Sequence, residues 1–139
     1  MIKAIITIML SLQLSAYTLS DDLWYAEAVA NKEASPTITI EELHYMYTGK
    51  LTHWADGSAV HIVVDDLKSY EQKSVIITML GISISRFKEI IASNDNISIM
   101  SRGNIVSALQ ARRGSLGIIS SNKLLLCTDA GLVVVRIVE

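Results

Sequence analysis

The sequence has little cysteine and no excess of positive charge, and each shortage excludes a class of protein. Cys127 is the only cysteine in 139 residues, so neither a disulfide framework nor a cysteine-based zinc site can form. The formal net charge is −2, so no basic field points to a nucleic-acid partner. Half of the residues are apolar and 19% are charged, which indicates one globular domain with a core.

Catalytic and metal-binding patterns are missing as well. The three histidines, His44, His53 and His61, are not spaced four residues apart, and no carboxylate pattern completes a metal set with them. The sequence has no nucleophile elbow, phosphate-binding glycine-rich loop or dinucleotide fingerprint. Cys127 has no cationic neighbour in sequence that would lower its pKa and make it a nucleophile. We therefore expect no enzymatic activity, no metal and no cofactor.

The N-terminal stretch "MIKAIITIMLSLQLSA" is typical of a secretory signal peptide. Lys3 forms the charged region, the apolar region follows, and cleavage is expected after Ala16, which leaves a domain over residues 17–139. The apolar run falls short of the roughly 20 residues of a membrane span, and no cysteine at the cleavage site offers a lipid anchor. The protein is thus predicted to be periplasmic or secreted, and not membrane-embedded after cleavage. The alternative is that "IITIML" is a buried N-terminal strand.

Helical and strand patterns alternate along the rest of the chain. Two helices are predicted to begin with a capping box and to end at a glycine, Thr39 with Glu42 up to Gly49, and Ser69 with Gln72 up to Gly81. Shorter helices are predicted over residues 85–93 and within 101–114. Strands are predicted over residues 26–32, 59–64, 97–100, 116–119 and 132–138, the last at a sheet edge. This order predicts an α/β three-layer sandwich with a central, mostly parallel sheet.

Two helix starts follow strands directly and form a candidate ligand site. Backbone amides and the helix dipole at such starts favour an anion, and ligands of α/β sheets bind beyond the carboxyl ends of the strands. The alternative is that Ser69 only caps its helix, and Asp65 and Asp66 oppose an anion by their charge. The candidate ligand-binding residues are Lys68, Ser69, Tyr70, Ser101, Arg102, Gly103 and Asn104.

Two stretches together resemble the second lobe of the phosphate-binding proteins of ABC transporters. The first, "AVANKEASPTITIEELHYMYTGKLTHWADGSAVHIVV", resembles a family segment with a strand, a helix and a Gly-Lys-x-x-x-Trp turn. The second, "SRGNIVSALQARRGSLGIIS", is similar to Gly-Asn-x-x-Val followed by Pro-Gly-x-Ile-Gly-Tyr, although Arg113 replaces the Pro and Ile119 the Tyr. The likeness covers residues 24–138 and implies a single lobe of a type II periplasmic-binding-protein fold.

The resemblance implies a structural role for the turn around Trp54, and it also shows that the family's anion-binding loop is altered here. In this family the Gly-Lys-x-x-x-Trp turn holds a loop onto the core, so Trp54 is expected to fix the loop rather than to contact a ligand. The residues with this structural role are Gly49, Trp54, Gly57, Gly114 and Gly117. The family's Arg-Ser-Asp-Gly-Ser-Gly-Thr anion loop corresponds here to "VVDDLKSYE", which lacks the Arg and both glycines that grip a phosphate.

Two functional hypotheses remain open, beside a domain that merely folds. In the first, an exported substrate-binding-like protein binds phosphate or another small oxyanion weakly at helix N-termini, with a transporter permease as a partner. In the second, the scaffold has lost its anion site and contacts an envelope protein through exposed aromatic residues, namely Trp24, Tyr25, Tyr45 and Tyr47. The surroundings of Ser69 distinguish them, because Tyr70 or Asp65 filling that space would favour the second hypothesis.

Overall fold

The backbone alternates between strands and helices, as the sequence pattern predicts. The computed structural model describes residues 26–100 and 104–139, apart from the side chain of Glu71; the predicted signal peptide lies outside them. The strands are β1 (Ala26–Ala30), β2 (Thr37–Thr39), β3 (His61–Val64), β4 (Ile97–Ile99), β5 (Ser115–Ser120), β6 (Val133–Val134) and β7 (Arg136–Val138). The helices are α1 (Ile40–Tyr47), α2 (Tyr70–Leu80), α3 (Ile84–Ala92), α4 (Ile105–Gln110) and α5 (Leu124–Asp129), with a 3-10 turn over Ser121–Lys123.

The central sheet has five strands in the order β4-β3-β5-β1-β6. Strand β3 runs parallel to both β4 and β5. Strand β1 runs antiparallel to β5 and to β6, so all strands except β1 point the same way. The prediction of a mostly parallel sheet is confirmed, and β1 is the exception to it. Strands β2 and β7 form a separate parallel pair.

Helices cover both faces of the sheet and create two apolar cores. Successive side chains of a strand point to opposite faces, and both sets are buried in the central strands. One core collects Ile62 and Val64 of β3 with the apolar faces of α1, α2 and α3. The other collects Val63 of the same strand with α4 and with Cys127 of α5. The three-layer α/β sandwich is therefore confirmed, and Ile62, Val63 and Val64 of β3 are all apolar because both faces of this strand are covered.

Helix α1 begins with the predicted capping box. The Thr39 side chain accepts a hydrogen bond from the Glu42 amide at 2.9 Å, and the Glu42 carboxylate accepts one from the Thr39 amide at 2.8 Å. Leu43, Met46 and Tyr47 form the buried face of the helix. These exchanged bonds satisfy two amides that the helix itself leaves without partners.

Helix α2 begins at the predicted cap, but its capping box is only half formed. The Ser69 hydroxyl accepts a hydrogen bond from the Gln72 amide at 3.1 Å. The Gln72 side chain does not return to Ser69; its amide group donates to the carbonyl of Ile118 at 3.0 Å. The pairing between β3 and β5 ends at Ile62 and Leu116. The carbonyl of Ile118, two residues further along β5, therefore takes its hydrogen bond from a side chain. The predicted second capping box is wrong in this respect.

The C-terminal segment differs most from the prediction. The predicted strand 132–138 divides at Val135, whose amide donates to the carbonyl of Ala28. After this residue the chain leaves β1 and pairs with β2, through a hydrogen bond from the Arg136 amide to the Pro36 carbonyl. Strand β6 lies at an edge of the central sheet, as expected. Strand β2 and helix α5 were not predicted. Strand β2 has only three residues and α5 only six, "LLLCTD", and such short segments show little hydrophobic periodicity.

No helix within residues 26–100 and 104–139 has both the length and the apolar composition to span a bilayer.

Candidate functional site

The predicted site lies at the carboxyl ends of two neighbouring parallel strands. Val64 ends β3 and Ile99 ends β4, and these two residues are partners in the ladder. The Met100 amide then donates to the Val64 carbonyl at 2.8 Å, so the segments that follow β3 and β4 leave the sheet side by side. One continues through Lys68 to α2, and the other continues to α4, which Asn104 caps. The predicted residues Ser101, Arg102 and Gly103 lie outside the described part of the chain.

An open cleft of about 360 Å³ occupies this edge, and we call it the lysine cleft. Its lining combines three lysines, one aspartate and four apolar residues. The lining residues are Asp66, Leu67, Lys68, Lys73, Ile84, Lys88, Ile99 and Met100. They come from the loop after β3, from α2, from the start of α3 and from the end of β4. Among the described candidates for ligand binding, only Lys68 lines the cleft.

The three lysines of the cleft have no ion-pair partner among the described acidic side chains. None of Lys68, Lys73 and Lys88 forms an ion pair with a described side chain. The ion pairs of residues 26–100 and 104–139 involve other cations, namely Lys32, Arg86, Arg113 and Lys123. Three like charges around one cleft repel each other, and an anion between them would relieve that repulsion.

The acidic residues before α2 oppose an anion less than their sequence positions suggest. Asp65 faces Lys123, with 3.3 Å between carboxylate and ammonium, and does not line the cleft. Asp66 does line it, and its carboxylate accepts a hydrogen bond from the Lys68 amide at 2.9 Å. The Asp66 carbonyl also accepts a hydrogen bond from the Ser69 amide at 3.1 Å. Asp66 thus fixes the turn that carries Lys68, and its charge offsets part of the positive field.

The other described candidates for ligand binding either cap a helix or lie outside the cleft lining. The Ser69 hydroxyl caps α2, and the Asn104 side chain accepts a hydrogen bond from the Val106 amide at 2.8 Å, which caps α4. Tyr70 is 76% exposed and does not line the cleft. Neither Tyr70 nor Asp65 therefore fills the space beside Lys68.

Sequence reasoning missed the contribution of α3 to this site. Ile84 and Lys88 lie four residues apart and so share one face of the helix, and both line the cleft. The N-cap of α3, Ser83, accepts a hydrogen bond from the Arg86 amide at 3.1 Å and fixes where the helix begins. The spacing was visible in the sequence, but only the packing of α3 against α2 brings it to this edge.

The corner around Trp54 lies at the opposite edge, where β3 and β5 begin. Trp54 is 4% exposed, and its indole donates a hydrogen bond to the Gly114 carbonyl at 3.0 Å. That carbonyl also accepts from the His61 amide at 3.2 Å. Gly114 has a φ of +85°, and a Cβ there would collide with the Ala59 carbonyl. Trp54 joins a loop to two strands and does not line the lysine cleft.

The other glycines of the predicted structural motif meet different constraints. Gly49 has a φ of +82°, and a Cβ there would collide with the Asn94 side chain. Gly57 has a φ of +89° with open space around it, and its amide donates to the Trp54 carbonyl at 2.9 Å. A Cβ on Gly117 would lie 3.2 Å from the Val63 carbonyl, which makes this position tight without a left-handed backbone.

A second, smaller pocket beside the corner is held by paired charges. Its volume is about 180 Å³. The Lys32 ammonium lies 2.6 Å from the Asp56 carboxylate and 5.1 Å from the centre of the Trp54 ring. The hydrogen bond from Lys32 and those from Ser58 hold the pKa of Asp56 well below its ordinary value. Each cation already has a partner here, so we interpret this pocket as part of the corner.

One residue assigned to the interaction hypothesis is placed differently by the structure. Tyr47 is 1% exposed and packs against Phe87, with 6.3 Å between ring centres. Burial raises the pKa of its hydroxyl well above the ordinary value. The expectation that Tyr47 is an exposed interface aromatic is therefore wrong. Tyr45 is 40% exposed, while Trp24 and Tyr25 lie outside the described residues.

Histidine, cysteine and acidic side chains do not gather into a group of three that could hold a metal ion anywhere in residues 26–100 and 104–139. Cys127 is fully buried, and burial raises the pKa of its thiol, which disfavours the reactive thiolate.

Comparison with known proteins shows likeness in structure only. No protein-family model and no curated protein matches the sequence. Among solved structures, PstS from Borrelia burgdorferi superposes with a TM-score of 0.66 at 14% identity, over 82% of this chain and 47% of that one. An ABC-type phosphate transport receptor from Vibrio cholerae gives 0.63 at 14% identity, over 82% and 46%.

A third solved structure was determined with its ligand. It is a Clostridium perfringens protein assigned as a phosphate ABC transporter substrate-binding protein, with bound phosphate. Its TM-score is 0.62 at 21% identity, over 82% of this chain and 45% of that one. The chain thus spans about half the length of these proteins and shares their fold. The likeness expected from the two sequence stretches is confirmed at the level of the fold.

Proposed function

We propose that this chain is a non-enzymatic binding lobe that takes a small oxyanion, such as phosphate, in the lysine cleft. The observation that carries the proposal is the set of three lysines, Lys68, Lys73 and Lys88, around one cleft without an ion pair to a described side chain. The position supports it, because ligands of α/β sheets bind beyond the carboxyl ends of the strands. The shared fold with a protein solved with bound phosphate supports an oxyanion as the ligand class.

Electrostatics favour a divalent oxyanion over chloride. A pair of unit charges 4 Å apart attracts by ~4 kcal/mol at the effective dielectric constant of a protein surface, and by ~1 kcal/mol in water. A doubly charged oxyanion near three ammonium groups gains several such terms, while the Asp66 carboxylate removes part of the gain. The balance depends on charge, so we expect affinity to fall with added salt.

We expect the binding to be weak. Lysine offers a flexible point charge, whereas the planar fork of arginine binds an oxyanion through two parallel hydrogen bonds. The loop from Asp65 to Ser69 has neither an arginine nor a glycine. The cleft is also open, and the matched proteins are about twice as long as the aligned region. We propose that a second lobe closes over the cleft and completes the site.

The test is calorimetric titration of sodium phosphate into the purified protein at low salt, with sulfate and chloride as controls. We expect saturable heat with a millimolar dissociation constant. Lys68→Met and Lys88→Met should each weaken binding about threefold or more, since one attraction to the anion is lost. Lys50→Met is the matched control, because Lys50 is exposed, lies outside the cleft and faces the ring of Tyr45.

Two outcomes would contradict the proposal. A flat titration at high millimolar phosphate would show that the cleft takes no oxyanion under these conditions. Equal weakening by Lys50→Met and the two cleft substitutions would show a general charge effect rather than a site. The predicted export after cleavage at Ala16, and partnership with a permease or another envelope protein, are further parts of the proposal, because the matched proteins are named as transport components.

A further inference from the structure

The lysine cleft is larger and more apolar than an inorganic oxyanion requires. Its volume of about 360 Å³ lies within the range of roughly 300–1,000 Å³ typical of sites for small organic molecules. Water occupies about 30 Å³ per molecule in the liquid, so the cleft has room for roughly ten waters. Phosphate has five non-hydrogen atoms and would leave most of this space unfilled.

The apolar part of the lining comes from three separate elements. Leu67 in the loop before α2 is buried, while Ile84 at the start of α3 and Ile99 at the end of β4 are half-buried. Met100 completes this part of the lining. A methionine side chain is flexible and adapts to irregular ligands. Inorganic phosphate gains nothing from contact with this apolar surface, because its surface consists of hydrated oxygen atoms.

We propose that the cleft binds a small organic phosphate monoester, with its phosphate group among Lys68, Lys73 and Lys88 and its apolar group against Ile84 and Ile99. This inference rests on the proposed oxyanion site and adds the class of ligand. On α3, Ile84 and Lys88 lie one turn apart and line the same cleft, so one helix face supplies both kinds of contact. The volume of the cleft is enough to cover an apolar group of a few carbon atoms.

The experiment compares inorganic phosphate, methyl phosphate, butyl phosphate and 1-butanol by calorimetry with the purified full chain. Each methylene that leaves water tightens binding by up to about fourfold. The cleft is open, so the three extra methylenes of butyl phosphate should together give about tenfold over methyl phosphate. Uncharged 1-butanol should not bind, because the lysines then gain no partner.

Substitutions in the cleft separate the apolar contact from the charge. Ile84→Thr keeps the branch at Cβ but replaces the ethyl arm by a hydroxyl, so it should reduce the preference for butyl over methyl phosphate by about threefold. Ile77→Thr is the matched control, since Ile77 is a half-exposed isoleucine of α2 that does not line the cleft. Thermal melting of both variants identifies any loss of folding.

Each outcome decides a different claim. A tenfold preference that Ile84→Thr reduces and Ile77→Thr preserves supports the inference. Equal affinities for methyl and butyl phosphate would overturn the inference and leave the oxyanion site intact. Binding of 1-butanol as tight as that of butyl phosphate would overturn it too, because the phosphate group would then contribute nothing. Absence of binding by all three phosphates would overturn both this inference and the proposed function.

Discussion

Replacement of Gln72 by leucine tests how α2 is attached to the sheet. Gln72 is 6% exposed, and its side-chain amide donates to the Ile118 carbonyl at 3.0 Å. Leucine has a similar volume, so the substitution leaves little empty space but removes the donor. A buried carbonyl that loses its partner costs about 1–3 kcal/mol. We therefore expect Gln72→Leu to lower the free energy of unfolding by about 2 kcal/mol.

Urea denaturation followed by tryptophan fluorescence measures this change. A domain of this size has a urea dependence of about 1–3 kcal/mol per molar, so the midpoint should fall by about 1 M. Ser69→Ala is the comparison, because it removes the hydroxyl that caps α2, a loss that typically costs about 1 kcal/mol. A fall below about 0.5 kcal/mol for Gln72→Leu would refute the reasoning, since that is the size of an ordinary surface substitution.

Two further predictions concern the corner and the core. Gly114→Ala should destabilise the protein by about 3 kcal/mol or more, because a Cβ meets the Ala59 carbonyl; Gly57→Ala, with open space, should cost only about 1–2 kcal/mol. Equal losses in urea denaturation would contradict this. Burial raises the pKa of Tyr47 above its unfolded value, so stability should fall with pH above about 10. Tyr47→Phe should reduce that slope, and an unchanged slope would count against the pKa shift.

Local signals predicted the parts of the fold that depend on local interactions. The box of Thr39 and Glu42 fixed the start of α1 through bonds three residues apart. The continuous apolar runs predicted strands covered on both faces. The direction of β1 was not predictable in this way, because it depends on pairing with β5 almost ninety residues later. The partner of Gln72 was missed for the same reason, since Ile118 lies 46 residues away.

The sequence pointed to the strand ends where the lysine cleft lies, but to only part of the lining of that cleft. Lys68 lies in the loop after β3, so the rule for strand ends pointed to it. Lys88 and Ile84 come from a helix that the sequence placed without assigning it a function, and tertiary packing alone brings them to the cleft. Ser69 and Asn104 were included for their position at helix starts, and their described side-chain bonds are those of caps.

The side chain of Asn31 gives the two edges of the sheet different roles. Its amide donates to three carbonyls at the end of α4, those of Leu109, Gln110 and Arg112, at 3.0–3.1 Å. These three hydrogen bonds attach the end of α4 to the same edge of the sheet to which Trp54 attaches its loop. The cleft lies beyond the opposite ends of the strands. Four residues of β3 separate the edges by about 13 Å, a distance at which substitutions act independently. The charged residues of the cleft can therefore change, through evolution or engineering, without disturbing the contacts of Asn31 and Trp54 at the opposite edge.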